Sequence, residues 1–131
     1  MLRPLRKNPV FVYFEDRFQK PAPFRPDISV GIDTVIDQKI RALDAHTSQF
    51  YEWLPWVDGD LDKVPADPAE RLKWLTGRRT KTTSPAVRAA LKKWYGDSES
   101  KIQFAESFEI CEYGRQPKES EIRELFPMLK P

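Results

Sequence analysis

Few residue types in this chain could carry chemistry, and the most informative is its single histidine, His46. Gln49 follows three residues later, which places it beside His46 on a helix surface. On a helical wheel both residues lie at the edge of a buried stripe, so the imidazole is expected to face both the interior and a cleft. Two interpretations stay open: a half-buried histidine bonded to a backbone carbonyl, or a polar group that lines a site.

A second set of candidate residues lies in a proline-rich loop between two predicted strands. The loop spans residues 15–27 and carries Asp16, Arg17 and Arg25. Loops that leave the ends of inner strands hold ligand groups in open α/β sheets. These three side chains are therefore candidates for a substrate cleft. The alternative is a solvated loop fixed by its two phenylalanines.

A long amphipathic helix, predicted over residues 33–56, must position His46. Its stripe residues recur at steps of three and four, which places them on one face. They are Ile36, Ile40, Leu43, Thr47, Phe50 and Leu54. Pro55 is expected to end the helix, because proline cannot donate a backbone hydrogen bond.

Two predicted strands precede this helix and one follows it. Residues 10–14 form a continuous apolar run, typical of an inner parallel strand covered on both faces, and residues 28–32 are placed beside it. Residues 104–113 alternate imperfectly and predict an edge strand. Shorter helices are predicted from Asp67 to Gly77, from Ser84 to Gly96 and over residues 121–129.

This order of elements predicts one α/β unit over the whole chain. Its parts are a basic arm (1–9), a strand–loop–strand–helix core (10–56) and a helical extension with a closing strand and helix (57–131).

Three stretches of the chain agree in order with one enzyme family. They are NPVFVYFEDRFQKPAPFRPDISVGID, KIRALDAHTSQFYEW and FAESFEICEYGR. The second contains an Ala-His-x-Ser-Gln run at Ala45, His46, Ser48 and Gln49. Over roughly residues 8–114 the chain thus resembles the C-terminal portion of the PIG-L / LmbE family of zinc-dependent N-deacetylases.

The resemblance implies the C-terminal part of a Rossmann-like three-layer α/β fold, with an incomplete sheet. It also implies a hydrolase that removes acetyl groups from N-acetylglucosamine-type substrates with the help of zinc. The family holds its zinc through a His-Pro-Asp-Asp run and a later His-x-x-His pair, and neither run occurs in this sequence. We therefore expect no metal site in this chain alone, no activity on its own, and completion by an upstream segment or a second chain. The alternative is a non-catalytic α/β module for interaction or assembly.

Composition limits the partners that can be expected. The net charge is +2, from 22 basic and 20 acidic residues, so bulk electrostatics favours neither nucleic acid nor anionic membranes. The basic stretch at residues 78–83 predicts an exposed loop. No apolar run reaches the length of about 18 residues that a membrane span needs. The lone Cys111 fits a reducing compartment, and we expect a cytoplasmic protein. An incomplete sheet would expose a strand edge, so self-association is expected.

Overall fold

The computed structural model describes residues 6–80 and 83–129. This part of the chain is a mixed α/β protein with five α-helices and one three-stranded antiparallel sheet. Its contacts divide into two compact units. The sheet unit comprises residues 1–31 and 83–131, and the helical unit comprises residues 32–82. The first five residues of the predicted basic arm and residues 81–82 of the predicted basic loop lie outside the described part.

Two strands come first, a run of helices follows, and a third strand and a final helix close the described part of the chain. They are β1 (Val12–Phe14), β2 (Ile28–Gly31), α1 (Ile36–Asp44), a π-helical turn (Ser48–Trp53), α2 (Leu54–Asp58), α3 (Pro68–Arg79), α4 (Pro85–Tyr95), β3 (Ala105–Ile110) and α5 (Glu119–Leu125), with short 3₁₀ turns at Leu61–Lys63 and Gly96–Lys101. No helix among the described residues is both long enough and apolar enough to cross a bilayer.

The sheet has the order β1–β3–β2, and both pairings are antiparallel. The predicted α/β class is confirmed at this level, but the predicted arrangement of strands is wrong. β1 was expected in the centre beside β2, whereas it lies at the edge with exposed side chains. β3 was expected at the edge and lies in the centre. An apolar run or an imperfect alternation is a local signal, whereas strand order depends on pairing between distant segments.

The core of the sheet unit lies between one face of the sheet and the helices α4 and α5. Its buried members are Ile28, Val30, Trp94, Ile122 and Leu129. The predicted apolar face of α4 is confirmed, since Val87, Ala90, Leu91 and Trp94 are all buried. Ser84 caps α4 by accepting the backbone N–H of Val87. The indole N–H of Trp94 donates to the carbonyl of Asp27 at 2.8 Å, which fixes α4 to the start of β2.

The long helix predicted over residues 33–56 is broken, and Pro55 does not end it. α1 stops at Asp44, and the π-helical turn and α2 follow a short interruption. Pro55 lies in the first turn of α2, where its missing N–H is tolerated. It cannot donate to the carbonyl four residues earlier, and the N–H of Leu54 donates instead to Gln49, five residues back. Gly59, with φ of 72°, ends α2.

The helical unit is held together by α1 and α3. Asp67 caps α3 by accepting the N–H groups of Ala69 and Glu70, and Leu75 is its buried residue. The helix was expected to end at Gly77 but continues to Arg79. At this end Arg78 donates to Asp58 at 2.6 Å and to Asp60 at 2.7 Å. The ion pairs tie the end of α3 to the loop after α2.

Candidate functional site

His46 lies at the interruption between α1 and the π-helical turn. Its N–H donates to the carbonyl of Leu43 at 3.0 Å, and its carbonyl accepts the N–H groups of Gln49 and Phe50, both at 3.0 Å. The backbone of His46 is thus fully used, while the side chains of His46 and Gln49 are both exposed. The sequence predicted His46 at the edge of the buried face of one long helix. In the structure this helix is broken at His46, and the side chain is exposed to solvent.

The opposite side of this segment anchors it. Tyr51 is 4% exposed and donates its hydroxyl to Asp44 at 2.5 Å. Its ring lies near Trp74, with centroids 6.2 Å apart, and beneath the guanidinium of Arg71. Burial and the bond to Asp44 raise the pKa of Tyr51 to about 12. Because Tyr51 is fixed on one side, His46 and Gln49 are held on the other.

An apolar groove of the helical unit lies along the π-helical turn and the chain that follows it. It has a volume of about 390 Å³ and is lined by Ser48, Glu52, Trp53, Trp56 and Leu61. Trp53 is 53% exposed and Trp56 is 67% exposed. Exposed tryptophan rings offer flat apolar surface that can stack against a ligand. The sequence signal for this groove was the aromatic cluster at the end of the predicted helix.

Asp16 and Arg17 belong to the sheet unit and line one cleft there. The cleft has a volume of about 370 Å³ and lies between the loop after β1 and the start of α4. Asp16 also accepts the N–H of Phe18 at 2.5 Å, so one of its oxygens is occupied within the loop. Arg17 is exposed. A role of Asp16 and Arg17 in a substrate cleft stays a prediction.

Arg25 is engaged with acidic residues of its own unit. Its guanidinium donates to both carboxylate oxygens of Asp27, at 2.7 and 3.0 Å. The backbone N–H of Arg25 donates to the carboxylate of Glu109 at 3.0 Å. The hydrogen bond to Asp27 raises the pKa of Arg25 further above its ordinary value. Asp27 also accepts the N–H of Ile110 at 2.9 Å. Arg25 thus closes a network around β3, and a role in a substrate cleft stays a prediction.

Sequence reasoning missed an aromatic cleft on the other side of this loop. Its volume is about 410 Å³, and Tyr13, Phe14, Phe18 and Phe24 contribute rings to its lining. The thiol of Cys111 donates to the hydroxyl of Tyr13 at 3.1 Å. The continuous aromatic run that predicted a buried strand was its signal.

A zinc site would need about three convergent protein ligands. Among residues 6–80 and 83–129, no three His, Cys, Asp or Glu side chains come together in such a group. The resemblance places the zinc ligands outside this chain, and that expectation stays a prediction.

Comparisons with known proteins leave the family open. No protein-family model, curated protein or solved structure matches the chain. The resemblance to the PIG-L / LmbE family stays a prediction from the residues that carry it, and any function must rest on the geometry of the two sets of candidate residues.

Proposed function

We propose that this chain is the C-terminal part of a PIG-L / LmbE-like amidohydrolase acting on N-acetylglucosamine-type substrates, inactive on its own. The observation that carries the proposal is the exposure of Gln49 in a π-helical turn and of His46 just before that turn. Single π-helical turns are rare and occur frequently at functional sites. A histidine with only a structural role would instead be expected to lie half-buried.

The chemistry of the exposed face supports the same substrate class. The amide of Gln49 and the imidazole of His46 can both bond to the acetamido group of an amino sugar. The neighbouring groove offers the rings of Trp53 and Trp56 to the apolar face of a pyranose. These residues bind and orient a substrate, and zinc chemistry is left to a segment that carries the metal ligands.

The proposal is tested by titrating the isotope-labelled chain with N-acetylglucosamine up to tens of millimolar and following its NMR spectrum. We expect the signals of His46, Gln49 and the indole of Trp53 to shift, because binding does not require the metal. Glucose, which lacks the acetamido group, should give smaller shifts. The His46→Ala variant should weaken the response, whereas Gln38→Ala, on the exposed surface of α1, should not. Unchanged signals at all three residues would contradict the proposal.

A specific observation favours a second candidate, a non-catalytic assembly module. The edge strand β1 exposes apolar side chains along its whole length. Exposed apolar edges are templates for pairing with another strand. This candidate does not require the acetamido-binding role of His46.

A further inference from the structure

The outer edge of β1 is open in the part of the chain that the structure describes, where β1 pairs only with β3. The four side chains of residues 11–14 are apolar or aromatic, and between 37% and 60% of their surface is exposed. Proteins normally protect such an edge with charges, a bulge or a covering element. The edge therefore suits a partner strand.

The backbone of β1 shows which groups face outward. The carbonyls of Phe11 and Pro9 accept the N–H groups of Cys111 and Arg115, both at 3.0 Å. In an antiparallel pair the bonding direction alternates along the strand. The N–H and carbonyl groups of Val12 therefore face away from β3. By the same alternation, those of Val10 and Phe14 also face away from β3. The nitrogen of Pro9, which carries no hydrogen, faces β3. Pro9 therefore does not prevent a second strand from pairing with the outer edge.

The charges that flank this edge are self-complementary. Arg6 and Lys7 precede it, Glu15 and Asp16 follow it, and all four are exposed. A second β1 that runs antiparallel to the first would place its acidic end beside the basic end of this one. Opposite charges across a strand pair stabilise it, and like charges destabilise it.

We propose that two copies of the chain associate through β1, antiparallel and with two-fold symmetry, with Phe11 opposite Phe11 of the second copy. This register pairs Val10 with Val12 of the second copy through outward-facing backbone groups. It also brings Lys7, which lies in a bend just before the extended segment, toward Glu15 of the second copy. An isologous contact of this kind closes at two chains.

Other registers fit less well. Moving the pairing two residues toward the C-terminus places Lys7 opposite Arg17 of the second copy. Moving it two residues the other way places Lys7 opposite Tyr13 and leaves its charge without a partner. The proposed register also brings the valines of both copies to the apolar groove that Val10 and Val12 line with Leu125 and Phe126. That groove has a volume of about 550 Å³.

Sedimentation velocity over a concentration series tests the proposal with the full chain. A short strand buries less surface than a standard interface, so we expect a monomer–dimer equilibrium with a dissociation constant on the order of micromolar. Lys7→Glu and Glu15→Lys should each weaken the dimer by about tenfold, because each creates two like-charge pairs. The double variant Lys7→Glu/Glu15→Lys should restore it.

The restored dimer is the decisive result, because Lys7 also acts electrostatically on Glu121 within its own chain. Lys73→Glu, an equal charge change at an exposed position of α3, is the matched control and should leave the dimer unchanged. Circular dichroism confirms that each variant is folded. A monomer at every concentration, an open series of oligomers, or a double variant no better than the single ones would overturn the proposal. None of these outcomes bears on binding of N-acetylglucosamine at His46.

Discussion

At the scale of single residues, the placement of His46 favours one of the two interpretations that its sequence context left open. A half-buried histidine satisfied by a backbone carbonyl would contribute only to packing. The side chain is instead exposed, as is that of Gln49 three residues later. The rigid part of the same segment is Tyr51, which lies on the opposite side and bonds to Asp44. The segment thus separates a fixed face from a face that can contact a ligand.

The proposed function predicts the effect of removing the imidazole of His46 from a complete enzyme. When the chain is joined to an upstream segment that carries the family's zinc-binding runs, His46→Ala should lower turnover by at least about tenfold, the low end for loss of a positioned polar group. The melting temperature should not change, because the side chain is exposed. Initial rates of acetate release measure the effect. Gln38→Ala is the control, and full activity in the His46→Ala protein would return His46 to a structural role.

Tyr51 gives a prediction about alkaline stability. Its pKa is about 12 in the folded chain, first because burial disfavours the charged form and then because of the bond to Asp44. The pKa of a tyrosine in an unfolded chain is about 10. The folded state therefore holds the proton more tightly, so this contribution to stability is complete below about pH 10 and is lost as the pH rises toward about 12.

Tyr51→Phe should consequently lower the free energy of unfolding by about 1 to 2 kcal/mol at neutral pH, and this difference from the unmodified chain should shrink above about pH 10. Urea unfolding at a series of pH values measures both effects. Tyr113→Phe is the matched control, because Tyr113 is 82% exposed. A difference that stays constant up to about pH 12 would show that the shifted ionisation of Tyr51 makes no contribution.

At the scale of elements, the sequence was most informative where one helix carries its own signals. α4 was predicted well because Ser84 caps it, Gly96 ends it and its apolar stripe faces the core. The interruption at His46 was missed because the stripe continues through the π-helical turn, with Phe50 and Leu54 still half-buried. The order of the strands could not be read locally. β1 and β3 are more than ninety residues apart, and their pairing depends on the rest of the sheet.

Two glycines at helix positions test how local backbone geometry sets stability. Gly59 ends α2 with φ of 72°, whereas Gly77 lies inside α3, and an added Cβ would meet no atom within 4 Å at either site. Gly59→Ala should lower the free energy of unfolding by about 1 kcal/mol, because L-residues disfavour the left-handed region. Gly77→Ala should raise it by about 0.5 to 1 kcal/mol, because alanine favours a helix interior. Urea unfolding measures both, and effects of the same sign would contradict the assigned helix ends.

At the scale of the whole molecule, the candidate residues fall into two sets. His46 and Gln49 belong to the helical unit, while Asp16, Arg17 and Arg25 belong to the sheet unit. A substrate-cleft role for either set stays a prediction from the sequence. The two sets belong to different compact units, so we expect variants in one set to leave the fold of the other unit intact.

The last prediction concerns metal and activity of the chain by itself. The family's His-Pro-Asp-Asp and His-x-x-His runs are missing from the sequence, and a catalytic zinc needs about three protein ligands. We therefore expect the purified chain to bind no stoichiometric zinc, as measured by elemental analysis after dialysis. We also expect it to release no acetate from N-acetylglucosamine derivatives, whether or not zinc is added.

The complementary arm of this experiment uses the joined protein, in which the added segment supplies the ligands. That protein should bind about one zinc per chain and release acetate, because the metal activates a water for attack on the amide. Stoichiometric zinc in the chain alone would overturn the expectation that its metal ligands lie elsewhere. A joined protein that binds zinc but stays inactive on every N-acetylated amino sugar would instead favour the assembly module, whose test is the strand pairing at β1.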